Sequence, residues 1–317
     1  MVENFKIAGG HRNTAESAKN ILLEGGNAFD AAIAGVFSSM SCEYLYTGAA
    51  SGGAMLVKKN GFHPEIIDFF VETPSIDQSN VGDFKAIYAD FGDTKQEFNI
   101  GAGSVGIPGT IPGLIQIHKD YGSLPFSILV EQAIDLAKKG SFISKNQEYL
   151  SAVLSPIISS SRALESLFSK DGSLLKEGGL FVNADFASFL DQFLYEDPSL
   201  FYKHEVCPLF YQSFKNGGII ELKDLQEYSP IKRSPLELKY CGHDIFMNPL
   251  PSTGGMLISA GLEHLNKLDS TSKQDIETAL HKIRNYKDQD MVGSTTHLSI
   301  IDKNNNVASV TTTNGVG

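Results

Sequence analysis

Two threonines near the end of the 317-residue sequence, Thr295 and Thr313, stand where a hydroxyl could do chemistry. Residues His297 to Ile301 and Val307 to Thr313 alternate apolar and polar side chains on either side of Asn304-Asn305-Asn306, the pattern of a β-hairpin. A turn centred on Asn304 sets Thr295 opposite Thr313, with Cβ atoms about 5 Å apart. A slip of one residue would bring Asn314 opposite Thr295 instead. A threonine hydroxyl attacks a carbonyl only when a base takes its proton. An α-amine on the same residue, with a pKa of about 8, can be that base if the residue is first in its chain. Thr295 is internal in the sequence as written. On its own it reads as a β-branched residue opening a strand, and a second hydroxyl within hydrogen-bond reach is the chemical reading beside that structural one.

Other patterns carry less. Gly101-Ala102-Gly103-Ser104-Val105-Gly106 has the GxGxxG form, with Asp120 near the spacing of a ribose-binding acid. Pro108-Gly109 and Pro112-Gly113 would break the helix whose N-terminus should face a pyrophosphate, so a structural loop is expected and dinucleotide binding ranks last. Position 102 is alanine, so Ser104 does not sit in a GxSxG elbow. The eight histidines form no HExxH or HxH pair, and His297 reads as a strand residue rather than a general base. Cys42, Cys207 and Cys241 are an odd, widely spaced set that makes neither a disulfide framework nor a zinc knuckle. No metal or cofactor is expected.

Composition narrows the class. With 42% hydrophobic and 20% charged residues the chain is an ordinary globular protein rather than a disordered one. A formal charge of −11 argues against a phosphate-backbone binder, so no nucleic-acid partner is expected. No run of 18 apolar residues occurs, and the N-terminus lacks an apolar run of signal-peptide length. The expectation is a cytoplasmic protein without a membrane partner.

The elements that must position the hairpin can be read in outline. Asn13 with Glu16 suits a helix start, ended by Gly25-Gly26, and a second helix should begin at Asn27 with Asp30 in its first turn. Ala28, Ala31, Ala32, Ala34 and Gly35 give that helix a small-sided surface that permits close packing. The glycine-rich turn from Thr47 to Ala54 leads into a strand at Met55-Leu56-Val57. From Glu97 to Gly113 a short strand should give way to irregular turns. Pro125 suits a helix N1, Leu129, Ala133, Leu136 and Ala137 share a face, and Gly140 suits the C-cap. Residues 150 to 240 read as mostly helical with loops, and show no chemistry.

Gly293-Ser294-Thr295-Thr296-His297-Leu298-Ser299-Ile300-Ile301-Asp302 resembles the junction at which γ-glutamyltransferases (γ-glutamyltranspeptidases), members of the N-terminal nucleophile (Ntn) hydrolases, cut themselves. Gly25-Gly26-Asn27-Ala28-Phe29-Asp30-Ala31-Ala32 is similar to the family's early GGNAxDAA segment. Gly106-Ile107-Pro108-Gly109 with His118 and Tyr121-Gly122 is similar to its PG…H…YG block. Gly217-Gly218-Ile219-Ile220 with Asp224-Leu225 and Tyr228, and Pro251-Ser252-Thr253-Gly254-Gly255, resemble two further blocks in the family's order. The resemblance implies an α+β fold, the Ntn-hydrolase αββα four-layer sandwich, incomplete at the C-terminus. Residues 1–294 would form the large-subunit region and 295–317 the start of the small subunit. It implies self-cleavage at Ser294-Thr295, Thr295 as nucleophile with its freed amine as base, and an acyl-enzyme passed to water or an amine. No metal or redox cofactor is needed for that route. Thr313 fits the family's threonine at that offset from the nucleophile, and Asn314 is the candidate for its substrate-binding Asn, one position early. The implied activity is that of a glutathione hydrolase-like amide hydrolase or transferase, made as a zymogen. Its partners would be a small-molecule amide or γ-glutamyl substrate and either a large/small-subunit heterodimer or a homo-oligomer.

Two departures qualify this. The family's DxRExAP block corresponds to Asp68-Phe69-Phe70-Val71-Glu72-Thr73-Pro74, which places Phe70 where an Arg should grip the γ-glutamyl carboxylate. Phenylalanine cannot reproduce a bidentate guanidinium, so a less acidic or differently held acyl group becomes an alternative to γ-glutamyl. The sequence also stops at Gly317, before the family's oxyanion-hole Gly-Gly pair, so the hairpin is expected to have an unpaired edge. A catalytically inert remnant serving as a binding subunit is the alternative function.

Overall fold

The computed structural model describes residues 4–74, 82–92, 95–268, 272–285 and 295–315. Its centre is a six-stranded antiparallel sheet that contains the hairpin. The hairpin strands are Thr295–Ile301 and Val307–Thr313, paired so that Thr295 faces Thr313 and Ile301 faces Val307. The expected register is therefore the one formed. Strand β1 (Lys6–Gly9) pairs with the first hairpin strand, and β2 (Gly52–Lys58) with the second. Strand β3 (Glu65–Phe69) and the short strand Ile231–Arg233 complete that side. The expected unpaired hairpin edge is wrong for most of its length, because β2 runs along the whole second strand and β1 along Leu298–Ile301 of the first, both from far upstream in the chain.

One face of this sheet is dry. Leu298, Ile300, Ala308, Val310, Met55, Val57, Ile67 and Phe69 alternate inward and are buried in one core with residues of helices α1 (Arg12–Leu23) and α2 (Ala28–Cys42). Every residue of α2 is buried, which explains its small side chains. A Cβ on Gly35 would overlap the Leu298 side chain, so the helix can approach the hairpin this closely only with glycine there. Polar side chains at the α1–α2 contact satisfy one another: Ser38 Oγ donates to Ser17 Oγ at 2.8 Å, and Ser17 Oγ to the Ala34 carbonyl at 3.2 Å.

Asn27 caps α2 as expected, accepting from the Phe29 and Asp30 amides, while Asp30 accepts from the Asn27 amide. The start of α1 differs. His11 Nδ1, not Asn13, accepts from the Asn13 amide, so Asn13 lies inside the first turn. Helix α3 (Thr110–Tyr121) likewise runs through Pro112-Gly113, where irregular turns were expected. Pro112 falls in the first turn, where its missing N–H would have had no intrahelical partner. Helix α4 (Phe126–Lys139) follows, with Pro125 at its N-cap and Gly140 (φ 87°) at its C-cap. Residues 145–227 are mainly short helices, but the rest of the stretch to 240 that was expected to be helix and loop carries the strands Ile231–Arg233 and Leu236–Tyr240; the helices Thr253–Leu265 and Lys273–Asn285 pack on each other. Among the described residues no helix is long and apolar enough to cross a membrane.

Candidate active site

The nucleophile candidate sits on the other face of the sheet. Period-two alternation puts Thr295, His297 and Ser299 with Ser309, Thr311 and Thr313 on the face opposite α2. Thr295 is exposed at the start of its strand, and Thr313 opposite it is 8% exposed. Thr313 Oγ1 accepts from the Gly315 amide at 3.1 Å. Ser294 lies outside the described residues, so the junction itself has no geometry here.

The next residue in the same row is Gly52, paired with Thr313. Beyond β3 the chain folds over it. A Cβ on Gly52 would come 2.6 Å from the Val71 amide nitrogen and 3.1 Å from the Phe70 carbonyl carbon, so only glycine lets the Phe70-Val71 backbone lie there. The Phe70-Val71 backbone therefore crosses the Thr295 side of the sheet, and the Phe70 side chain is half exposed. Its amide donates to Asp68 Oδ1 at 3.0 Å, and its carbonyl accepts from the Tyr228 hydroxyl at 2.8 Å. Arg233 Nε is 2.6 Å from Asp68 Oδ2.

Behind Thr295 stands a residue the sequence reading missed. Thr296 faces the dry side and donates to Glu43 Oε2 at 2.5 Å, while Thr14 Oγ1 donates to Glu43 Oε1 at 2.6 Å. Glu43 is 5% exposed and forms the C-cap of α2. An acid is disfavoured at that end of a helix dipole, and that was the available signal that Glu43 serves something outside its own helix.

The hairpin's far end is fixed as firmly. Asp302 Oδ1 accepts from the Asn304 and Asn306 amides at 2.8 and 2.9 Å. Its Oδ2 accepts from the Ala28 amide, the first of α2, at 3.0 Å and from Asn306 Nδ2 at 2.8 Å. One carboxylate thus closes the turn and ties it to α2.

His297 is not an idle strand residue. Its Nδ1 is 2.7 Å from Thr311 Oγ1 and its Nε2 is 2.9 Å from Ser299 Oγ, and partial burial holds its pKa below the ordinary value. Both ring nitrogens are therefore occupied by hydroxyls along the strands rather than by Thr295. Asn314 is held by the turn that follows α2, its amide donating to the Tyr46 carbonyl at 2.9 Å and its Nδ2 to the Tyr44 carbonyl at 3.3 Å. This leaves its Oδ1 as the atom that could meet a substrate.

The glycine loop from Gly101 to Gly106 uses its own amides. Ala102 N donates to Asp83 Oδ2 at 2.9 Å, Gly103 N to the Asp83 carbonyl at 2.7 Å and Ser104 N to the Gly101 carbonyl at 3.1 Å. A phosphate cradle would need those groups free, and only a short 3₁₀ turn follows. Among the described residues no group of three His, Cys, Asp or Glu side chains could hold a metal ion.

Comparison with known proteins shows the family and the fold. The family described as Gamma-glutamyltranspeptidase matches residues 14–287. The glutathione hydrolase proenzyme of Escherichia coli (strain K12) is 30% identical over 260 residues, covering 79% of this chain and 43% of that protein. The acylase ACY 1 proenzyme of Pseudomonas sp. (strain V22) is 27% identical over 267 residues, covering 82% and 47%. The chain thus spans less than half the length of these relatives. Among solved structures, gamma-glutamyltranspeptidase of Helicobacter pylori superposes with a TM-score of 0.74 at 27% identity, over 87% of this chain and 80% of that one. The mixed helix-and-sheet architecture is accordingly that of the Ntn hydrolases. On the family match, the similarity to the E. coli proenzyme and the shared fold, this chain belongs to the gamma-glutamyltranspeptidase family.

Proposed function

We propose that the protein is an amide hydrolase or acyltransferase that frees its own nucleophile. The observation that carries the reading is the placement of Thr295 at the exposed start of a central strand, directly opposite Thr313. In the first step the Thr295 hydroxyl attacks the Ser294 carbonyl carbon and the C–N bond to Thr295 breaks. The resulting ester is hydrolysed, leaving a chain that ends at Ser294 and one that begins with the Thr295 α-amine. That amine then takes the hydroxyl proton as Oγ1 attacks a substrate amide, and returns it to the departing amine. Water or an acceptor amine removes the acyl group from Thr295, restoring the hydroxyl. The Thr313 hydroxyl orients the Thr295 amine or hydroxyl across the hairpin, and Asn314 Oδ1 contacts the substrate. The relatives' names, glutathione hydrolase and acylase, share amide cleavage and leave the acyl donor open.

Intact mass and N-terminal sequencing of the protein expressed from its full-length gene test the reading. Expected is a fragment starting Thr295-Thr296-His297, absent in Thr295→Ala. An uncleaved wild-type chain that shows no threonine acylation contradicts the reading and favours a binding subunit.

A further inference from the structure

The row that carries the nucleophile runs on to an aromatic ring. Thr295, Thr313 and Gly52 are register partners on successive strands. With strands about 4.8 Å apart, the Gly52 backbone lies about 10 Å from that of Thr295. Gly52 has no side chain to fill the row, and the Phe70-Val71 backbone crosses over it. Phe70 is held at both its amide and its carbonyl, yet its ring is half exposed. Among the described residues this is an exposed aromatic side chain on a fixed backbone, two strands from Thr295, and such a ring is a contact surface.

Among the described residues the two cations on the strand next to β3 are already paired. Arg233, on the strand next to β3, pairs with Asp68, two residues before Phe70. Its neighbour Lys232 turns to Asp120 at 3.1 Å and Glu65 at 3.7 Å. Glu72 follows two residues after Phe70 and is exposed. An anionic acyl group brought to this ring would meet carboxylates and an engaged guanidinium, whereas an uncharged apolar one loses no ionic contact.

We infer that Phe70 determines the acyl donor: the substrate is an amide whose acyl group is uncharged and apolar, of phenylacetyl size, packed on the Phe70 ring with its carbonyl at Thr295. This deepens the reading of Thr295 as nucleophile and rests on it for the position of the carbonyl.

Binding of the acids that hydrolysis would release tests the inference without needing turnover. Phenylacetate and L-glutamate are titrated by ligand-observed NMR against the full-length protein, its Phe70→Leu and Phe70→Arg variants, and Thr295→Ala, with circular dichroism as the check on folding. Expected is phenylacetate binding at least tenfold tighter than L-glutamate, weakened severalfold in Phe70→Leu and lost in favour of L-glutamate in Phe70→Arg. Equal or tighter L-glutamate binding in the wild type, a preference untouched at position 70, or no binding of either acid overturns the inference. Self-cleavage, followed by mass in the same samples, reports separately on Thr295. A chain that binds phenylacetate through Phe70 but never cleaves supports the site and removes the nucleophile.

Discussion

At the residue scale the account rests on hydroxyls and one carboxyl. Thr313→Ala should lower turnover roughly a hundredfold if its hydroxyl orients the reacting groups, and Thr313→Ser should restore most of it. Steady-state kinetics at fixed pH, with a folding check, distinguish this from a structural loss that serine would not rescue. Glu43→Ala leaves the Thr14 and Thr296 hydroxyls buried without their acceptor. The expected cost is about 2–4 kcal/mol in urea unfolding, with Glu43→Gln milder because it keeps one acceptor oxygen. The Thr295–Thr313 pairing was legible because strand alternation has a period of two and Asn304-Asn305-Asn306 fixes the turn. Glu43 was not, because its partner Thr296 is 253 positions away and no local pattern encodes that contact.

At the scale of elements, the hairpin is held by what crosses it. Asp302→Ala removes the acceptor for three backbone amides, including the first of α2, and should cost about 2–3 kcal/mol. Amide hydrogen exchange should then show protection lost first at Asn304, Asn306 and Ala28. Gly53→Ala is expected to be harsher still, because the new Cβ would overlap the Thr311 carbonyl oxygen, which belongs to the paired backbone. A loss above about 2 kcal/mol follows from overpacking at a site that cannot relax. Helix α2 was readable through Asn27, Asp30 and its small side chains. Helix α1 was displaced by one cap, since a histidine imidazole filled the place that Asn13 suggested. Helix α3 was hidden because Pro112 and Gly113 signal a break anywhere but in the first turn, where Pro112 lies.

At the scale of the whole molecule, sequence order and sheet order diverge. Strands β1 and β2 flank the hairpin although nearly the whole chain separates them from it, so the paired edges could not be read from local pattern. Two histidines are partly desolvated in the folded chain. His11 is held below 6.5 mainly by burial, against the opposing pull of Glu43 and Glu16, and His297 by burial alone. As the pH falls through 6.5 the unfolded chain takes up these protons while the folded chain does not. The stability contributed by the neutral imidazoles is therefore complete above that pH and lost towards the lowered folded values. The urea midpoint should fall between pH 7.5 and 5.5, and a His11→Gln, His297→Gln double variant should flatten that part of the profile.

If Thr295 is a nucleophile, its hydroxyl should take up an acyl adduct. The full-length protein is treated with an acylating, threonine-reactive probe such as a β-lactone, digested and mapped by mass spectrometry. Expected is a single acylated peptide beginning at Thr295, formed by the wild type and missing from Thr295→Ala. Labelling at another hydroxyl, or equal labelling in Thr295→Ala, would contradict it.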